Sequence, residues 1–274
     1  MSTQFDLFTD VEPTSVSPAI AKPFVSRSTF YQGDCLVEMD KITDKSIDMI
    51  LCDLPYGTTA CKWDSIIPFD PLWKHYERII KDNGAIVLFC QQPFTSYLVT
   101  SNVDKFKYMW YWKKSRPSGF VNVKVRSLKD IEEITVFSKA NTSPGNSNNM
   151  QYFPQGVQEG ILWARPKTYN KKETGYGRDS QALSRKTHGS NYPRQILEFG
   201  NPNNNVLHPT QKPVELMEYL IKTYTNEGDT VLDNCMGSGS TGCAAKKTGR
   251  HFIGIEKDEK YFKLAVERVS AYCG

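Results

Sequence analysis

The sequence predicts an α/β protein. Its core is a seven-stranded, mostly parallel, doubly wound sheet whose strands occur in circularly permuted order, with one irregular insertion. Three observations predict this. Short apolar runs alternate with helix-length segments of 3.6-residue periodicity, the pattern of βαβ units. A glycine-rich turn, Gly237-Ser-Gly-Ser-Thr-Gly242, stands between an apolar run and a helical segment. That turn comes late: after Glu256 only 18 residues remain, room for one helix, so the other strands must come from the N-terminal part.

Residues 1–26 are rich in Ser, Thr and Pro without periodicity and are expected to form a flexible tail. Residues 30–32 read as a short strand ending at Gly33-Asp34, and 35–41 as a helix. Residues 47–52 are a buried strand. Over 68–81, Leu72, His75, Tyr76 and Ile79 share one face of a helix, which Asn83-Gly84 is expected to end. A strand at 85–90 and a helix near 94–101 follow, then strands 108–112 and 133–137, which can pair. Residues 140–207 are crowded with Asn, Ser, Gly, Pro and Gln, and read as an irregular insertion without a core of its own. Regularity returns with a helix over 214–224, Pro213 opening it. Strand 230–232, helix 240–248, strand 252–255 and helix 259–272 complete the count. One domain, 27–139 plus 208–274, thus surrounds the insertion.

Composition limits the function. An apolar content of 39% over 274 residues supports one large core, while no apolar run approaches the roughly 20 residues of a membrane span. The N-terminus lacks a signal pattern, and the seven cysteines form no CxxC pair, so reduced thiols and a cytoplasmic location are expected. The four histidines show no ligand spacing, and no metal site is expected. The net charge of +4 is unevenly placed. Lys105, Lys107, Lys113, Lys114, Arg116, Lys124, Arg126 and Lys129 fall in a stretch with no acid. Arg165, Lys167, Lys171, Lys172, Arg178, Arg185, Lys186 and Arg194 face only Glu173 and Asp179. A basic centre in an otherwise acidic chain fits a phosphate-backbone footprint, and equally a solvated surface.

Two segments carry chemistry. The turn 237–242 satisfies G-x-G-x-x-G, with Asp233 and Met236 leading in and Glu256 ending the next strand. Glycines admit close backbone approach, the helix start offers free N–H groups, and the Glu256 carboxylate suits two ribose hydroxyls. Alone, this fits a nicotinamide oxidoreductase or an ordinary glycine turn as well as any other nucleotide-cofactor protein. The permuted order separates these readings: it lays strand 47–52 beside strand 230–232 and brings Asp53-Leu-Pro-Tyr56 to the same crevice. A carboxylate and a backbone carbonyl can accept both N–H bonds of an aromatic amine. They thereby draw its delocalised lone pair toward sp³, and Tyr56 can stack on the base. The plainer alternative is a strand-end turn in which Pro55 and Tyr56 only pack.

With both segments in this order, the chain resembles the β-group of amino-directed DNA methyltransferases. Gly33-Asp34-Cys35, Ile131-Glu-Glu-Ile-Thr-Val-Phe137 and His208-Pro-Thr-Gln-Lys-Pro213 resemble further motifs of that family. The resemblance implies a permuted Rossmann-like methyltransferase fold with one antiparallel strand. It implies S-adenosylmethionine as cofactor and double-stranded DNA as substrate, with the target adenine N6, or alternatively cytosine N4, flipped out of the duplex. Asp53, Pro55 and Tyr56 would be catalytic. Asp34, Cys35, Asp53, Lys212, Asp233, Met236, Gly237, Ser238, Gly239, Ser240, Thr241 and Glu256 would bind the cofactor. Lys113, Lys114, Arg116, Lys124, Arg126, Arg165, Lys167, Lys171, Lys172, Arg178, Arg185 and Lys186 would hold DNA, and residues 140–207 would read its sequence, as in a restriction-modification enzyme.

The chain departs from the family pattern. Leu54 stands where Asp-Pro-Pro-Tyr has its first proline, Met236 replaces the usual Phe, and Asn234-Cys235 replaces Pro-Phe or Pro-Thr. Leu54 leaves a catalytically silent DNA-binding protein as an alternative. No Pro-Cys pair occurs, which argues against covalent cytosine-C5 chemistry. Gln4-Phe-Asp-Leu-Phe8 resembles the peptide by which bacterial proteins dock on the DNA sliding clamp. A homodimer is left open.

Overall fold

The computed structural model describes residues 26–57, 64–158, 191–202 and 211–272. One eight-stranded sheet runs through them in the order β1-β8-β7-β2-β3-β5-β4-β6. Its strands are β1 (Ser28–Gln32), β2 (Ile47–Asp53), β3 (Ile80–Cys90), β4 (Phe106–Ser118), β5 (Lys129–Phe137), β6 (Ile196–Phe199), β7 (Thr230–Asp233) and β8 (His251–Glu256). The helices are α1 (Cys35–Glu38, continued by a 3₁₀ turn to Lys41), α2 (Phe69–Ile79), α3 (Phe94–Ser101), α4 (Val214–Tyr224), α5 (Ser240–Lys247) and α6 (Glu259–Ala271). Only β5 runs against its neighbours, pairing antiparallel with both β3 and β4.

The permuted order is what joins the two halves of the chain. β2 lies parallel to β7, with Met49 opposite Val231 and Ile50 opposite Leu232. Ile47–Cys52 is buried throughout, as a strand covered on both faces must be. Period-two alternation then builds two core layers. Met49 and Leu51 face α4, α5 and α6, packing with Leu220, Tyr224 and Ala244. Ile50 and Cys52 face α1 and α2, packing with Met39, Leu72 and Tyr76.

Two departures from the sequence reading have physical reasons. Asn83-Gly84 does not stop α2; the helix ends at Ile79 and both residues lie inside β3. A Cβ on Gly84 would sit 2.7 Å from the Asp48 carbonyl oxygen, so this glycine serves close strand approach next to the register shift between Ile47 and Met49. The strand count rises from seven to eight because Ile196–Phe199, within the expected irregular insertion, extends the sheet parallel to β4. Leu197 is buried and Phe199 packs against Tyr219 of α4. Residues 150–155 also hold to the core: Met150 is buried, and Phe153 N–H donates to the Thr223 carbonyl.

Candidate active site

Because β1, β2, β3, β4, β7 and β8 run the same way, their C-terminal ends line one edge. Such an edge is where an open α/β sheet binds its ligands. Asp53 ends β2, Asp233 ends β7 and Glu256 ends β8, so the three acids come from neighbouring strands.

On the β7–β8 side the glycine turn is built tightly. Gly237 and Gly239 have φ of 50° and 79°, the left-handed region a side chain disfavours. A Cβ on Gly242 would come within 2.7 Å of Phe252 and Val269, so the third glycine seats α5 against β8 and α6. The Asp233 carboxylate accepts from Thr241 Oγ1 at 2.6 Å and from the Cys235 N–H at 3.1 Å, fixing both ends of the turn. Burial pushes the Asp233 carboxyl up to about 7 despite those bonds. Glu256 accepts from the Gly237 N–H at 2.9 Å and the Asp258 N–H at 2.8 Å. Burial raises it as well, and each oxygen keeps a second lone pair. Beside it, Gly33 N–H donates to the Glu256 carbonyl, and Asp34 caps α1 and receives Lys257 Nζ at 3.1 Å. Met236 is buried against Gly254. Arg268, which the sequence did not single out, binds the Ser238 carbonyl at 2.9 Å and reaches the Ser238 and Ser240 hydroxyls.

Cys35 and Cys52 are free thiols that each meet the thiol of Cys235. The hydrogen bond to Cys235, then burial, holds Cys35 high, and burial takes Cys52 up to about 12. They stay protonated near neutrality and act as packing groups.

On the β2 side, Asp53 joins a buried chain of alternating charges. Lys212 Nζ lies 2.6 Å from Asp53 Oδ2 and 2.8 Å from Glu132 Oε1, while Lys114 Nζ lies 2.7 Å from Glu132 Oε2. Tyr56 OH donates to Asp53 Oδ1 at 2.7 Å, and its ring packs on Phe94 at 5.3 Å. The Lys212 and Lys114 ammoniums also sit over the rings of Phe89 and Trp112. Alternation of sign is what lets these charges leave water. Burial raises the Asp53 carboxyl and Lys212 pulls it back; Glu132 raises it again, and it ends above the ordinary carboxylate range. Burial would raise Glu132 too, but Lys212 and Lys114 outweigh it and hold the group low. The Lys212 ammonium is raised by its two carboxylates against the opposing effect of burial. Asp53, with 21% of its side chain exposed against 7% for Lys212 and for Glu132, is the member an incoming group can reach.

Leu54 is buried in the α2 layer, so apolar packing holds the turn where the family pattern has its first proline. Among the described residues, no group donates a hydrogen bond to the Leu54 or Pro55 carbonyl.

The structure therefore brings together Asp34, Cys35, Asp53, Pro55, Tyr56, Lys212, Asp233, Met236, Glu256 and residues 237–241. It turns Lys114 inward to Glu132, away from the solvent-facing role the charge pattern suggested, and Lys212 meets Asp53 directly. Lys113, Arg116, Lys124 and Arg126 are exposed. Arg165, Lys167, Lys171, Lys172, Arg178, Arg185 and Lys186, with 4–8 and 208–210, lie outside the described residues. Glu132 and Arg268 are site residues that sequence reasoning missed; the signal for Glu132 is an acid on the inward phase of the apolar strand 131–137.

A parallel sheet with a glycine turn and an acid-Leu-Pro-Tyr turn on adjacent strands defines a class of amino-group methylase, and comparison agrees. The family model N6_N4_Mtase, described as DNA methylase, matches residues 47–267, and the chain belongs to that family. It is 26% identical over 282 residues to the type II methyltransferase M2.LlaDCHI of Lactococcus lactis subsp. cremoris, covering 92% of this chain and 93% of that one. It is 28% identical over 249 residues to M1.MboII of Moraxella bovis, covering 86% and 94%. The solved structure of an M1.HpyAVI–SAM complex superposes with a TM-score of 0.58 at 25% identity, over 88% of this chain and 99% of that one.

Proposed function

We propose that this DNA methyltransferase uses S-adenosylmethionine to methylate N6 of an adenine flipped out of duplex DNA. The observation that carries the proposal is Asp53 standing one strand from the glycine turn, on the same edge of the sheet. The residues fit the cofactor: two glycines with left-handed backbone open a cradle, and the Glu256 oxygens keep lone pairs for ribose hydroxyls. Gly237, Gly239, Ser240, Thr241, Met236, Asp34 and Glu256 would hold it, and Lys212 has a third N–H beyond its two ion pairs. When bound, S-adenosylmethionine supplies an electrophilic methyl group.

The chain's own residues do the rest. An Asp53 oxygen accepts one N–H of the target amine, and the carbonyl of Leu54 or Pro55 accepts the other. Lys212 and Tyr56 fix the carboxylate's orientation, so the amine lone pair is aimed when it arrives. The family resemblance favours adenine over cytosine, because Asp rather than Ser stands at position 53. Residues 140–207 are assigned to sequence reading and the exposed cations to phosphate contacts. The site suits a cytoplasmic enzyme of a restriction-modification system.

Mass spectrometry of nucleosides from unmethylated duplex DNA, incubated with protein and labelled cofactor, tests this. N6-methyladenine is expected. N4-methylcytosine would replace the adenine assignment, and absence of label would reject the activity.

Gln4–Phe8 is assigned to the sliding clamp, with Leu7 and Phe8 as its apolar anchors. Leu7→Ala with Phe8→Ala should abolish clamp retention while methylation of naked DNA is unchanged; equal retention of both forms would end that assignment.

A further inference from the structure

The connection between β4 and β5 presents an unusual surface. Gly119 turns the chain with φ of 93°, and the 3₁₀ turn Phe120–Asn122 follows. Phe120 is 62% exposed, Val121 98%, Val123 51% and Val125 84%. Four large apolar side chains thus stand in water at one tip, interleaved with the exposed cations Lys124 and Arg126. A tip that only closed a hairpin would be polar.

Its position assigns a partner. β4 runs parallel to β2 and β3, so the tip rises from the edge that carries Asp53. At its base, Lys129 Nζ donates to Gln91 Oε1 just beyond β3, and Lys114 holds Glu132, which holds Lys212 and through it Asp53. Four further residues of β4 carry the chain roughly 13 Å past Lys114. That reach exceeds a groove about 8.5 Å deep. The flanking cations suit phosphates, and the apolar end suits the faces of stacked bases.

We propose that Phe120 and Val121 form a wedge that enters the duplex and fills the gap left when the target base turns out toward Asp53. Architectural proteins unstack DNA with apolar wedges of the same kind. The inference rests on the methyltransferase reading above. Phe120 and Val121 are positioning residues: they hold the base out and touch neither cofactor nor reacting atoms.

The test compares wild type with the double variant Phe120→Ala, Val121→Ala in the full chain. Two duplexes are used: one fully paired at the base the wild type modifies, and one in which that base is mismatched. Loss of the wedge should slow methylation of the paired duplex about tenfold or more. The mismatched duplex, already unpaired, should be methylated within about threefold of wild type. A 2-aminopurine at the target should brighten with wild type and stay quenched with the variant, and Phe120→Leu should restore most of the paired rate. Equal slowing on both duplexes, or no slowing, would overturn the wedge, as would a dimer-to-monomer change that accounts for the loss. Failure of the wild type to methylate either duplex would instead reject the methyltransferase reading.

Discussion

Asp53 shares Lys212 with Glu132, and the titration of one carboxylate depends on the other. Asp53 must be ionised to accept the amine N–H, so transfer falls on the acid side as Asp53 takes up a proton. Lys212→Met removes the chief charge holding the Asp53 pKa down, so the acid limb of single-turnover transfer should move to higher pH. Glu132→Gln removes a negative neighbour and should move that limb to lower pH. Limbs that shift in the same direction would contradict the network. Asp53, Tyr56 and the glycine turn were legible in the sequence because each belongs to a short motif with its own chemistry. Glu132 and the inward turn of Lys114 were not. Glu132 is placed by β5 meeting Lys212 of a distant segment, and Lys114 by β4 pairing with β5 beside Glu132; nothing local marks either contact.

Tyr224 joins two elements at the other end of the molecule. Its hydroxyl, on α4, receives the buried Trp110 indole N–H at 2.6 Å and lies 2.9 Å from the Tyr108 hydroxyl, both on β4. Tyr224→Phe leaves that indole N–H without its partner and should cost about 1–3 kcal/mol in urea unfolding. A loss below about 0.5 kcal/mol would show that the bond does not tie α4 to β4. Most elements were legible because the helices are periodic and the strands read as apolar runs between them: α3 and α4 match their predicted spans, and β7, β8, α5 and α6 differ by a residue or so. β6 was not, since its four residues, Ile-Leu-Glu-Phe, sit among polar neighbours, and only the exposed edge of β4 makes them a strand.

Across the whole molecule, the permuted chain order sets both chemistry and charge. It draws the Asp53–Tyr56 turn and the glycine turn to one edge, and puts Lys113, Arg116, Lys124 and Arg126 on the strand and tip that rise beside them. DNA affinity should therefore fall steeply with salt. Lys124→Ala with Arg126→Ala should lower the slope of log K against log salt by about 2, and an unchanged slope would remove these cations from the footprint. The permutation itself was legible from the order of the two motifs, the Asp53 turn before the glycine turn at 237–242. The central claim is that Asp53 and the turn at 237–242 serve one transfer step from two separate motifs. The most direct measurement is single-turnover methyl transfer by Asp53→Ala, paired with calorimetric binding of S-adenosylmethionine. Transfer should fall about a hundredfold or more while cofactor affinity stays within about threefold of wild type. Undiminished transfer would contradict the account.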